Sequence, residues 1–150
     1  MVNRFPTLAQ VIEMHSPLAL VILMLGSNDF QCTHDNNAWL SAQGVSKLID
    51  IIRQAPIDPT MPTPEIMVIA PPAIIHPKGA ISYKFNDAEK RSIGFVDELT
   101  IVAKERKVLF FDAGKITDAS AVDGIHLDEE QHLVLGKAIA SVVSEKVALE

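Results

Sequence analysis

The sequence is poor in the residues that mark several classes of protein. One cysteine, Cys32, stands among 150 residues, which excludes an internal disulfide. Lysine and arginine number only 13 against 19 acidic residues, and they are spread along the chain without forming a basic stripe. We therefore expect neither a disulfide-stabilised scaffold nor a nucleic-acid-binding protein.

Membrane and secretion signals are also missing. The longest apolar run, between Pro17 and Asn28, is well short of the roughly 20 residues that a membrane span needs. The first six residues lack the charged, apolar and small-residue order of a secretion signal. Together with the single cysteine, these absences favour a cytoplasmic protein without a membrane partner.

The apolar content predicts one folded domain. Hydrophobic residues make up 48% of the chain, and its length allows a single domain over residues 1–150 with a sizeable core. Residues 20–25 are all apolar, without polar alternation, which is typical of a parallel strand covered on both faces. Residues 66–70 and 108–111 predict two further strands in the same way.

Apolar residues at helical spacing predict helices between these strands. The predicted helices span residues 7–14, 37–53 and 86–107, and a last one follows Asp128. The apolar residues of the stretch 73–84 show no clear periodicity, so we expect this stretch to form a loop that borders a pocket. Alternating helices and strands indicate a three-layer parallel α/β sheet. Three strands are few, however, and their edges should not face water.

Capping residues mark the starts of two of these helices. Asn36 or Asn37 is the candidate cap of the second helix. Asp128 is followed three residues later by Gln131, the pattern of a capping box in which the Gln side chain reaches back to the cap.

Two short polar motifs carry the candidate chemistry. Gly26-Ser27-Asn28-Asp29 follows the first strand, at the end where open α/β sheets place their active sites. Asp123-Gly124-Ile125-His126 precedes the last helix, and a tight turn at that spacing can fold the carboxylate onto one imidazole nitrogen. Taken alone, the first motif is also good turn chemistry and the second also fits a turn aspartate beside a solvent-exposed histidine.

Jointly, the motifs resemble the SGNH, or GDSL-type, hydrolase superfamily, nearest to its bacterial branch of oligomeric arylesterases and acyltransferases. Pro71-Pro72 and the stretch 110–114 add to this resemblance, which extends over residues 8–147. It implies a flavodoxin-like parallel sheet. It also implies a serine ester hydrolase, arylesterase- or lipase-like or an acyltransferase, that acts on small acyl esters without a cofactor or metal.

The resemblance also implies roles for single residues. Asn28 would donate a hydrogen bond to the oxyanion, His126 would be general base and then general acid, and Asp123 would orient His126. The expected substrate-binding residues are Gly26, Ser27, Pro71, Pro72 and Ile125.

The chain departs from the family at its nucleophile. The family's strand ending in Gly-Asp-Ser, and a second block with an oxyanion-hole glycine, both precede the asparagine block, and residues 1–19 contain neither. The resemblance therefore implies the later strands and helices of the fold only, amino-terminally truncated, with the triad serine absent. In the family the nucleophile strand lies beside the strand ending at Asn28. We accordingly expect residues 20–25 to form an open edge, and the chain to be a homo-oligomer, at least a dimer.

Other assignments of the chemistry stay open at this point. Ser27 or Cys32 could replace the nucleophile, while Ser41 and Ser46 fall on a helix and are expected to be solvated. A metal site would need residues gathered from distant parts of the chain, and no zinc motif is present. The residues that could gather around zinc are His34, Asp35, Asp123, His126 and His132.

A different class of function is the main alternative. The chain could be a catalytically impaired form whose principal property is self-association through residues 20–25.

Overall fold

The computed structural model describes residues 5–146, so Val147 and both ends of the predicted domain 1–150 lie outside it. None of the helices in this range is long and apolar enough to cross a membrane. The elements are α1 (Phe5–His15), β1 (Leu20–Leu23), α2 (Ala38–Arg53), β2 (Glu65–Ala70), α3 (Ala88–Arg91), α4 (Phe95–Arg106), β3 (Leu109–Asp112) and α5 (Glu129–Lys146).

The three strands form one parallel sheet in the order β1-β2-β3. Leu20 pairs with Glu65, and Met67 pairs with Leu109. The central strand β2 is buried from Ile66 onward, as its apolar sequence predicts for a strand with neighbours on both sides. The predicted parallel α/β architecture is confirmed.

Successive residues of the strands point into two separate cores. Val68 and Leu23 belong to a core shared with α1, α2 and α4. Met67 and Leu20 belong to a second core, which is shared with α5. Three helices therefore cover one face of the sheet, and α5 alone covers the other.

The strand β1 lies at the edge of the sheet and is only partly covered. Ile22 is 41% exposed and Leu25, just after the strand, is 49% exposed, although Leu23 is buried. Within the described residues β1 pairs with β2 only, and its other edge has no strand partner. The prediction of a strand covered on both faces is thus wrong for β1, and the expected open edge is found.

The predicted helix 86–107 is broken into α3 and α4. Gly94 adopts a left-handed conformation, with φ +82°, at the start of α4. Glycine reaches this conformation without steric cost, so the chain can change direction here. As a result Ile93, predicted on the buried face, is 75% exposed, while Phe95 and Leu99 beyond the break are buried.

The predicted cap of α2 is found, and so is one of the two hydrogen bonds of the predicted capping box at α5. The Asn37 side chain accepts a hydrogen bond from the Leu40 amide at 2.9 Å, at the start of α2. The Gln131 side chain accepts one from the Asp128 amide at 2.7 Å, just before α5. The Asp128 side chain itself accepts from the Ser120 hydroxyl and not from an amide of α5.

Two serines on α2 that were expected in solvent are buried instead. Ser46 is 6% exposed and its hydroxyl accepts a hydrogen bond from Arg106 Nε at 2.8 Å, where α4 packs on α2. Ser41 is 2% exposed and donates to Asp29 Oδ2 at 2.5 Å. Apolar periodicity could not identify these positions, because each hydroxyl is satisfied by a residue distant in sequence.

The open β1 edge leads us to expect that the isolated chain is at least a dimer. Pairing of exposed edges would satisfy the free backbone groups of β1. Light scattering measures the oligomeric state. A monodisperse monomer whose β1 amides are nevertheless protected from hydrogen exchange would contradict the prediction.

Candidate active site

The Asp123 carboxylate holds His126 in a closed turn. Its Oδ1 accepts hydrogen bonds from the backbone amides of Ile125 at 2.8 Å and His126 at 2.9 Å. Its Oδ2 lies 2.7 Å from His126 Nδ1. This contact favours the tautomer with the proton on Nδ1 and leaves Nε2 as an acceptor. No hydrogen bond to Nε2 is found within residues 5–146.

The environment keeps Asp123 ionised at neutral pH. Partial burial raises the pKa of this carboxyl. The backbone and side-chain hydrogen bonds from His126, the Ile125 amide and the His126 charge together lower it more, so the pKa lies below its ordinary value of 3.8. The His126 side chain is 55% exposed, so solvent or a substrate can reach its ring.

The turn Asp123–His126 is hydrogen-bonded to the segment that follows the carboxyl end of β2. The Gly124 carbonyl accepts from the Ile75 amide, and the Asp123 carbonyl accepts from the Lys78 amide, both at 2.9 Å. Gly124 has φ +81°, and a Cβ there would lie 2.6 Å from the His76 carbonyl oxygen. Only glycine fits this close approach, which the short motif alone did not reveal.

Ser120 connects the turn Asp123–His126 to the start of α5 through hydrogen bonds. The sequence analysis did not identify this residue. It is 1% exposed, and its hydroxyl donates to Asp128 Oδ1 at 2.7 Å. Its amide donates to the His126 carbonyl, and its carbonyl accepts from the Gly124 amide, both at 2.7 Å. The only sequence signal was a serine beside the small residue Ala119, which is too common to single out.

Asn28 lies in a short 3₁₀ turn, Ser27–Phe30, after the carboxyl end of β1. Its Oδ1 accepts weakly from Gln31 Nε2 at 3.4 Å, and no partner of its amide nitrogen is found in the part of the chain described. The nitrogen is therefore available to donate. Gly26, with φ +124°, precedes the turn, and a Cβ there would clash with the Phe95 ring.

One segment contacts the His126 ring and the residues that follow the Asn28 turn. The Lys84 carbonyl accepts from the Cys32 amide at 2.8 Å, four residues after Asn28. The next residue, Phe85, packs edge-to-face on His126 with ring centroids 6.5 Å apart. The segment 84–85 therefore lies between the His126 ring and Cys32, which follows the Asn28 turn by two residues.

A cavity of about 340 Å³ lies at this end of the sheet. Ser27, Pro71 and Pro72, three of the expected substrate-binding residues, line it together with the buried rings of Phe30 and Phe95. Such a mostly apolar cavity with a few polar groups is typical of a small-molecule site.

The other two expected substrate-binding residues lie elsewhere. Gly26 borders a more open trough of about 550 Å³, which runs between Leu25 at the end of β1 and Leu48 on α2. Ile125 lines neither space. It is 5% exposed and packs in the core, because the turn that exposes His126 directs the preceding side chain inward.

The structure places neither substitute nucleophile on His126. The Cys32 sulfur lies 3.6 Å from the carbonyl oxygens of Tyr83 and Asn86, and Ser27 lines the cavity. Within residues 5–146 no three metal-ligating side chains gather into a group that could hold an ion.

Several solved structures with a similar fold are esterases. The native aryl esterase of M. smegmatis is 31% identical, with a TM-score of 0.85 over 95% of this chain and 68% of its own. Est24, a carbohydrate acetylesterase from Sinorhizobium meliloti, is also 31% identical, with a TM-score of 0.86 over 94% of this chain and 67% of its own. This chain belongs to the SGNH-type esterases. No family model and no curated protein matches it.

The chain is shorter than these SGNH-type esterases. It spans 67% of Est24 and 68% of the M. smegmatis enzyme, so about a third of each has no counterpart here. The fold is that of an ester hydrolase.

We expect Gly124→Ala to destabilise the protein by about 1–3 kcal/mol, because a Cβ meets the His76 carbonyl and the φ is unfavourable. Gly136→Ala is the matched control. Gly136 lies in α5 with open space around it, so alanine should stabilise the protein by up to about 1 kcal/mol. Urea unfolding measures both changes, and equal effects would contradict the account of the turn.

Proposed function

We propose that this chain carries the base and oxyanion-binding parts of a carboxylic ester hydrolase for small acyl esters. The observation that carries the proposal is the 2.7 Å contact between Asp123 Oδ2 and His126 Nδ1, with Nε2 left unpartnered among the described residues. A fixed, half-exposed imidazole of this kind is suited to accept a proton from a hydroxyl.

His126 acts first as base and then as acid. Nε2 takes the proton of the attacking hydroxyl as its oxygen bonds to the ester carbonyl carbon. The same proton then passes to the alkoxide that leaves when the tetrahedral intermediate collapses. Asp123 stays ionised throughout and stabilises the imidazolium, in keeping with its lowered pKa.

Asn28 stabilises the negative charge on the carbonyl oxygen. Its amide nitrogen is available to donate, and the short turn after β1 fixes its backbone. The Ser41 hydroxyl supports this turn through Asp29. A fixed donor aimed at a developing oxyanion lowers the barrier more than one that must reorganise.

The family resemblance implies a serine as the attacking group, and no serine hydroxyl of residues 5–146 has a hydrogen bond to the His126 ring. Neither Ser27 nor Cys32 has a hydrogen bond to His126. In its place a water molecule at Nε2 supports only slow hydrolysis, because oxyanion donors and binding alone retain a small part of the acceleration.

We assign the apolar part of the ester to the cavity beside Pro71 and Pro72, which Ser27 lines but Asn28 and His126 do not. Its walls, which include Phe30 and Phe95, favour a hydrocarbon or aromatic group. Acetyl esters of phenols or carbohydrates are the substrates suggested by the two neighbours. An alcohol acceptor in place of water would give acyl transfer at the same site.

His126→Ala should reduce hydrolysis of p-nitrophenyl acetate by about 10²-fold, because the proton acceptor is removed while the oxyanion donor remains. Initial rates of release of p-nitrophenol measure this. His132→Ala is the matched control, since His132 is an exposed histidine of α5 whose ring has no hydrogen bond within residues 5–146. Equal rates for the original chain and the His126→Ala variant would contradict the proposal.

The second candidate function is self-association without catalysis. The exposure of Ile22 and Leu25 at the open edge favours it. In that case the chain would form oligomers, and its slow hydrolysis would not depend on His126. The same pair of histidine variants therefore separates the two candidates.

A further inference from the structure

Glu89 borders two separate spaces. It lines the cavity of about 340 Å³ beside Pro71 and Pro72, and it also lines a polar trough of about 440 Å³ that contains His76 and Tyr83. Its Oε1 lies 3.4 Å from Nδ1 of His76, on the side of the trough. Its Oε2 is buried and has no hydrogen-bond partner within residues 5–146. The proposed function does not use this carboxylate.

Arg91 fixes the segment that carries Glu89. Glu89 lies in the short helix α3, two residues before Arg91. The Arg91 guanidinium donates to the carbonyl of Phe30, which lines the cavity, and to the carbonyl of Asn86 before the helix. These bonds hold α3 against the cavity wall. In the described range the Glu89 side chain itself is restrained by one long contact, to the His76 ring, whose side chain is 80% exposed.

We propose that Glu89 makes this cavity selective for an apolar group that carries a hydroxyl, which donates its hydrogen bond to the carboxylate. A carboxylate only accepts hydrogen bonds, so the bound group must supply the donor. A buried acceptor without a partner is costly, and a hydroxyl in the cavity removes that cost. The last torsion of a glutamate has a broad minimum. The carboxylate can therefore turn from His76 towards the ligand and expose Oε2, which protein atoms now cover.

A neutral hydroxyl suits the cavity better than an ammonium group. Apolar side chains such as Phe95 and Ile74 form much of the wall, and loss of hydration costs an ammonium far more than a hydroxyl. Lys115 also lines the cavity and offsets the charge of Asp112, the second carboxylate of the lining. A carboxylate on the ligand would be repelled by Glu89.

Along the chain, the cavity lining is next to residues of both halves of the candidate site. Ser27 in the lining directly precedes Asn28. Ile74 in the lining directly precedes Ile75, whose amide donates to the carbonyl of Gly124. The substrate class that follows is esters whose acyl group is mainly apolar and ends in a hydroxyl. This last step rests on the proposed function, whereas the binding of a hydroxyl at the cavity does not.

Two ligands of similar size test the hydrogen bond. In p-hydroxy-N,N-dimethylbenzamide the hydroxyl is the single donor, and in p-fluoro-N,N-dimethylbenzamide fluorine replaces it and cannot donate. We expect the hydroxyl compound to bind at least about tenfold more tightly, since hydrogen bonds to carboxylates contribute on this order. NMR titration of nitrogen-15-labelled protein gives both dissociation constants. The shifted amide signals should lie around Phe30 and Phe95, in the cavity lining.

Matched variants locate the acceptor. Glu89→Leu should abolish the preference for the hydroxyl compound, because the carboxylate is removed. Glu105→Leu is the control and should keep the preference, since Glu105 is an exposed glutamate of α4 outside the cavity lining. A preference that survives in Glu89→Leu would overturn the inference.

The ligand comparison on the original chain does not depend on the folding of any variant. Equal binding of the two compounds, which is expected if water alone satisfies Glu89, would overturn the inference. So would no binding of either compound, or shifted signals remote from the cavity. Tighter binding of p-(aminomethyl)-N,N-dimethylbenzamide than of the hydroxyl compound would overturn the assignment to a hydroxyl.

Reaction rates separate this inference from the proposed function. The p-nitrophenyl ester of p-hydroxyphenylacetic acid should have a kcat/KM about tenfold above that of the p-fluorophenylacetic ester, and Glu89→Leu should remove the difference. A binding preference without hydrolysis that depends on His126 leaves Glu89 assigned and contradicts the proposed function. Hydrolysis that depends on His126, without a binding preference, supports the proposed function and overturns the inference.

Discussion

The candidate site depends on one carboxylate that serves two purposes. Asp123 accepts hydrogen bonds from two backbone amides, which closes the turn, and it contacts the imidazole of His126 with its other oxygen. The same bonds that shape the turn therefore fix the ring and its tautomer. Because Gly124 and Ser120 join this turn to β2 and α5, the position of His126 is set by the packing of the whole domain.

A second constraint comes from the sheet. A strand as apolar as residues 20–25 is suited to the interior of a parallel sheet, yet β1 lies at an edge with Ile22 exposed. The same strand positions Asn28 at its carboxyl end. Among residues 5–146, the sheet has no further strand on the side of β1 from which Asn28 follows.

The sequence predicted most of this architecture because the residues of most elements by themselves favour the structure that the element adopts. Apolar runs identified the three strands, and Asn37 and Gln131 marked two helix starts. The contact between Asp123 and His126 followed from their spacing. Prediction failed where the structure depends on features other than apolar spacing. The spacing predicted one continuous helix over residues 86–107, but the helix is interrupted at Gly94. Ser120 was missed because its hydrogen-bond partner Asp128 is brought to it only by folding.

Ile125 illustrates the same limit. It lies between two residues of the candidate site, and only the geometry of the turn shows that its side chain points into the core. Family resemblance placed the motif but not the direction of each side chain within it.

The protonation of the His126 ring tests the central claim most directly. Nitrogen-15 NMR of histidine-labelled protein distinguishes the two tautomers of the neutral imidazole. The account predicts the proton on Nδ1, shared with Asp123, and a bare Nε2, with this preference lost in Asp123→Ala. A neutral ring protonated on Nε2 would contradict it, because no acceptor would then face the reacting hydroxyl.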